Sequence, residues 1–154
     1  MTDSLPAAAA HAVRIVLVAD PGVAAEIAQE LADKLPRLLR RRVRADVDWR
    51  VTARTAPLVA DEQLDVSSAV DVVRPFLPEG DWDAAVFLTD LPRRAGLRPV
   101  SIEVSSADRI ALVSLPALGS WRMRQRARHV VADVVGMLTR ESADLAPSPE
   151  EAAW

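Results

Sequence analysis

Seven residues near the start of the chain, VRIVLVA from Val13 to Ala19, restrict the fold more than any other feature. Apart from Arg14 the run is aliphatic and largely β-branched, so a strand built from it has no face to give to water. Strands of this kind lie inside parallel sheets whose two faces are covered by other elements. A second such run, AAVFLTD, ends at Asp90. Two doubly buried strands separated by helical patterning imply an α/β fold with a mainly parallel sheet.

The segments between and after these runs extend that expectation. Asp20-Pro21-Gly22 offers a helix start, with Asp as N-cap and Pro in the first turn, and Val23, Ile27, Leu31 and Leu35 then recur every fourth residue. Pro36 is expected to end or kink that helix. From Val43 to Ala53 the chain alternates, with Val47, Trp49 and Val51 on one face and Asp46, Asp48 and Arg50 on the other, as suits a half-wet strand at a sheet edge. Val66, Val70 and Val73 mark a second helix between about Glu62 and Arg74, stopped by Pro75. After a loop LPRRAGLRP, the segments VSIEVS and RIALVSL read as a hairpin turning at Ser106-Ala107-Asp108, and Ser120 caps a last helix running to Arg140. The order predicts a mixed, mainly parallel sheet of about five strands, flanked by three helices and carrying one antiparallel hairpin.

With 154 residues, half of them apolar, there is material for one domain, expected over residues 12–140. Residues 1–11 and the acidic, Pro- and Ala-rich 141–154 read as mobile tails. A net charge of −3 gives no global positive field, so nucleic acid is an unfavoured partner. The chain has no cysteine, which removes disulfides and thiolate metal sites and suits a cytoplasmic location. No apolar run reaches the ~18 residues a spanning helix needs, so a membrane enters only through segments outside this chain.

The last helix carries the pattern closest to chemistry. Ala127, Val130, Val131, Val134 and Leu138 share one face, while His129, Asp133 and Gly136 fall roughly opposite with Arg122, Arg126 and Arg140. A helix with a polar upper side can floor a cleft. It can equally be an ordinary surface helix on which His129 and Asp133 form an i, i+4 pair.

Residues 82 to 139, WDAAVFLTDLPRRAGLRPVSIEVSSADRIALVSLPALGSWRMRQRARHVVADVVGML and the Thr139 that follows, resemble the core of archaemetzincin-like zinc peptidases. The likeness lies in a strand ending in Thr-Asp, a hairpin whose second strand ends near a Ser, and an arginine-bearing lead into the zinc-binding helix. It implies that HVVADVVG stands where such a peptidase reads HExxHxxG. His129 then matches the first zinc-binding His, and Gly136 matches the Gly that lets the helix end. Val130 occupies the place of the general-base Glu, Asp133 that of the second His and Thr139 that of the third. A catalytic zinc needs about three protein ligands and a base for its water. The resemblance therefore implies a zincin-like scaffold from which peptidase activity has been lost, with no metal and no cofactor expected. LTDLPRR and SLPALG also look like the soluble N-terminal part of membrane-associated proteins of GC-rich bacteria, which implies a cytoplasmic domain attached to such a protein.

Asp20 and Asp90 both close buried strands, and if these run parallel the two carboxylates share the sheet edge where α/β proteins bind ligands. With Arg93 and Arg94 just beyond, they make an alternative site for a divalent ion or an anionic small molecule, as in a small hydrolase or transferase. The local reading is that Asp20 caps a helix and Asp90 orders a turn before Pro92. No Ser lies in a G-x-S-x-G, and the five glycines form neither a dinucleotide fingerprint nor a P-loop. Arg40, Arg41, Arg42 and Arg44, with Arg122, Arg124, Arg126 and Arg128, offer a surface to an acidic protein or an anionic ligand. Most of them can also pair with this chain's own acids. The expected function is a non-catalytic interaction domain.

Overall fold

Strand β1 (Ala12–Ala19) is buried on both sides from Ile15 onward, as its composition requires. Its alternate residues divide between two apolar clusters: Ile15, Leu17 and Ala19 face one, Val16 and Val18 the other. The structure, a computed structural model of the chain, describes residues 12–56, 75, 77, 82–90, 94–95, 98–99, 102–119 and 121–144, with the backbone alone described at 94–95, 98–99 and 141–144.

Helix α1 (Val23–Arg42) follows, then β2 (Asp48–Thr55) and β3 (Ala84–Thr89), all six residues of which are buried. Two-residue strands β4 (Arg94–Ala95) and β5 (Arg98–Pro99) pair antiparallel inside the stretch expected to be loop. Strands β6 (Ile102–Ser105) and β7 (Ile110–Ser114) form the expected hairpin. A 3-10 turn (Leu115–Leu118) leads to helix α2 (Met123–Asp144). The main sheet runs β2-β1-β3-β7-β6; its first three pairings are parallel and β6–β7 is antiparallel. The fold class is thus α/β with a five-stranded, mainly parallel sheet, and β2 lies at an edge as its alternation requires.

Two helices of the expected three are described, and both pack on the same face of the sheet, burying Ile27, Leu31, Leu35 and Leu39 of α1 against Val131, Val134, Val135 and Leu138 of α2. The opposite face carries Phe87, Ile110 and Leu112, with Leu77 and Trp82 packed on them. The helix expected between Glu62 and Arg74 lies outside the described residues, as do Ser120, residues 1–11 and, of the stretch 141–154 expected as a tail, residues 145–154.

Three boundaries differ from expectation. Helix α1 does not stop at Pro36 but continues to Arg42. A proline inside a helix costs about 3 kcal/mol, yet Leu35 and Leu39 on either side are fully buried, and each buried Leu recovers about 1.5–3 kcal/mol. Because α1 takes residues up to Arg42, β2 starts at Asp48 rather than Val43. Helix α2 runs past Arg140 to Asp144. Among the described residues no helix is long and apolar enough to cross a membrane.

Candidate functional site

The parallel pairing of β1 with β3 aligns Ala19 with Leu88, so the residues that follow, Asp20 and Thr89-Asp90, meet at one sheet edge. The structure does bring Asp20 and Asp90 together. Asp20 is buried, and its Oδ2 accepts the hydroxyl of Thr89 at 2.6 Å and the backbone N–H of Asp90 at 3.3 Å. Ser114, at the end of β7, lies beside Thr89 in the sheet register, so a row of buried polar side chains crosses this edge.

Asp20 does not cap α1. The N-cap is Gly22, at φ 111° and ψ −138°, a conformation that only glycine adopts without strain, and Gly22 supplies no side chain to the helix. The missing cap comes from the residue just past β3: Asp90 Oδ2 accepts the N–H of Ala24 in the first turn at 3.3 Å. The two local roles are therefore exchanged. Asp20 orders the turn after β3, while Asp90 caps the helix after β1. Each carboxylate already serves as a hydrogen-bond acceptor within the fold, and the positive end of α1 is matched by Asp90. Arg93 lies outside the described residues and Arg94 is described only by its backbone in β4, so the anion-binding half of this expected site has no described side chain.

On α2, the face bearing the peptidase-like spacing meets the end of α1. His129 and Asp133 are exposed on it, as expected. Arg42 Nη1 lies 2.7 Å from His129 Nδ1 and 3.8 Å from Asp133 Oδ1. A guanidinium only donates, so His129 Nδ1 is the acceptor and the ring proton sits on Nε2. Gly136, expected on the open polar side, is buried, with the Val43 side chain packed beside it; a β-carbon there would come 3.4 Å from Val43 Cγ2. Nor does it end the helix, which continues for eight residues beyond it. Arg126 turns away from this group, donating to the Leu118 carbonyl at 2.8 Å. At the other end of the helix pair, Arg124 binds Glu30, and Glu26 at 3.2 Å.

Zinc chemistry finds a poor fit in these residues. Val130, in the place of the base, packs against the core, and the Thr139 hydroxyl donates to the Val135 carbonyl of its own helix at 2.8 Å. His129 Nδ1 faces a cation. Among the described residues no group of three or more His, Cys, Asp or Glu side chains could hold a metal ion.

Arg42 is the member of this site that pattern reading left among a general basic cluster. At 100° per residue it falls within the arc of Leu31, Leu35 and Leu39, which places it at the exposed end of the α1 face that meets α2. Thr89 was visible only as half of a Thr-Asp pair, and Ser114 as a polar residue in an apolar strand.

No protein-family profile and no curated protein sequence matches the chain. Among solved structures, it is similar to archaemetzincin from Methanopyrus kandleri, with a TM-score of 0.61 and 18% identity over 84% of this chain and 72% of that one. A weaker likeness, TM-score 0.48 and 15% identity, is to a chaperone-substrate complex, covering 77% of this chain and 25% of that one. The first of these shows that the chain has a zincin-like fold.

Proposed function

We propose that this chain is a non-catalytic interaction domain on a zincin-like scaffold. One observation carries the reading: the helix face with peptidase spacing has its histidine bonded to Arg42, and a half-buried valine packed against the core where a base for hydrolytic water would stand. A peptidase needs that face to offer about three ligands and a general base. Here its polar groups link two helices. The experiment is metal analysis of the purified protein, with a peptide-cleavage assay in the presence and absence of chelator. The expected result is substoichiometric zinc, unchanged by His129→Ala, and no cleavage. One tightly held zinc per chain that His129→Ala abolishes, or chelator-sensitive cleavage, would overturn the proposal.

The partner in this reading is a protein with an acidic surface or an anionic ligand, on the strength of the exposed arginines of α1 and α2. The cytoplasm, within a membrane-associated protein, is the setting that goes with it, and cell fractionation of the intact gene product tests that.

The juxtaposition of Asp20 and Asp90 favours a second reading, a small hydrolase or transferase that uses the two carboxylates with Arg93 and Arg94. Mg²⁺ or Mn²⁺ should then raise the melting temperature, and Asp90→Asn should remove the shift. No shift with either ion would dispose of it.

A further inference from the structure

Strand β2 is paired on one side only, over eight residues from Asp48 to Thr55, and forms the end of the sheet among the described residues. Among the described residues this is a long edge with no partner strand on its outer side and no proline in it, a type of strand that templates pairing with another chain. The direction of its backbone groups follows from one bond. Ala56 donates its N–H to Ala19 on β1, so in the parallel ladder Asp48, Arg50, Thr52 and Arg54 also face β1. Trp49, Val51, Ala53 and Thr55 therefore point their N–H and C=O groups out of the edge.

We propose that β2 pairs antiparallel with β2 of a second copy of this chain, centred on Val51, joining two five-stranded sheets. In that register Val51 faces its own counterpart and Trp49 faces Ala53, all with outward backbone groups, giving about six inter-chain hydrogen bonds. The alternating residues form the non-hydrogen-bonded pairs, whose side chains come closest. Arg50 then stands opposite Thr52, and Asp48 stands opposite Arg54 at both ends. Neighbouring registers lack this complementarity: centring on Thr52 sets Arg50 against Arg54 twice, and centring on Arg50 sets it against itself. Like charges directly opposite oppose pairing. Charge and backbone direction thus favour this register over both of its neighbours, and it overlaps more of the strand than those centred nearer either end. Asp48 currently pairs with Arg50 in its own strand at 3.1 Å, an exposed contact that the dimer replaces with a cross-strand one.

Sedimentation equilibrium of the full chain tests this. At concentrations on the order of 100 µM, which populate small interfaces, the expected mass is about twice 16.7 kDa. Val51→Pro removes an outward N–H without touching the β1 ladder and should give a monomer with unchanged far-UV circular dichroism. Arg54→Asp, which sets Asp against Asp, should raise Kd about tenfold, and adding Asp48→Arg should restore it. A chain that is monomeric throughout overturns the proposal. So does a dimer that survives Val51→Pro, or one whose Kd ignores Arg54→Asp.

Discussion

Asp90 caps a helix far before it in the chain, its Oδ2 accepting the N–H of Ala24, 66 residues earlier, in the first turn of α1. The cap thereby ties the end of β3 to the element that follows β1, and it rests on Asp20, whose Oδ2 holds the Asp90 N–H. Stability and geometry at this edge depend on the two carboxylates unequally.

Asp90→Ala removes an N-terminal cap and should cost about 1 kcal/mol. Asp20→Ala removes a buried acceptor from both the Thr89 hydroxyl and the Asp90 N–H, and should cost about 3 kcal/mol. Because one bond joins the two residues, the double variant should lose less than the sum. Urea unfolding of the three variants measures all of this; an Asp90→Ala loss equal to or larger than that of Asp20→Ala contradicts the assignment.

Much of this architecture was written in hydropathy. β1 and β3 have no polar alternation, which marks them as interior strands, and if interior strands run parallel, as these do, Asp20 and Asp90 share one edge. The alternation of β2 made it an edge. What pattern could not reach were outcomes decided by tertiary contacts. Pro36 reads as a helix stop, but the burial of Leu35 and Leu39 outweighs it. Asp20 before Pro21-Gly22 reads as a cap, yet a partner from β3 took that place. Gly136 reads as a helix end, and its real constraint is Val43, which sits beyond the end of another helix. Each of these misreadings replaced a distant contact with a local rule.

Arg44 and Asp46 form an exposed pair in which each group holds the other in its charged form. Hydrogen bonding from Arg44 first, then from its own backbone, holds the Asp46 carboxyl below the ordinary aspartate range, and the same contact raises Arg44. A carboxylate that binds its proton more weakly folded than unfolded stabilises the fold above about pH 4 and loses that contribution as the pH falls through its folded value. Both groups are exposed, so the effect on overall stability is small. NMR titration should show Asp46 ionising at lower pH than an ordinary aspartate, and Arg44→Gln should move its midpoint up. An unmoved midpoint would rule out Arg44 as the cause.

Gly136 separates a structural role from a vestige of catalysis. A β-carbon there would lie 3.4 Å from Val43 Cγ2, the edge of ordinary contact, and alanine gains about 1 kcal/mol over glycine in a helix interior. Gly136→Ala should therefore be neutral or stabilising by up to about 1 kcal/mol. Gly136→Leu should destabilise by about 1–3 kcal/mol, since the added atoms must displace Val43. Thermal unfolding of both variants decides this, and a large loss from alanine would mean the two helices cannot yield even a few tenths of an ångström.

Arg42 fixes the tautomer of His129, because the guanidinium has only donors to offer Nδ1. In the neutral form of the His129 ring the ¹⁵N spectrum should report the Nε2–H tautomer, with Nδ1 as the acceptor. Arg42→Ala should let the second tautomer appear while costing no more than about 1 kcal/mol, since Arg42 and Asp133 are exposed to 41% and 66%. The combination matters more than either value. A helix face kept for structure should lose tautomer selection with little stability, and its isolated histidine should still gather no metal. If Arg42→Ala instead turned His129 into a tight zinc ligand, the guanidinium would be masking a competent site, and the face would have to be read as inhibited rather than retired.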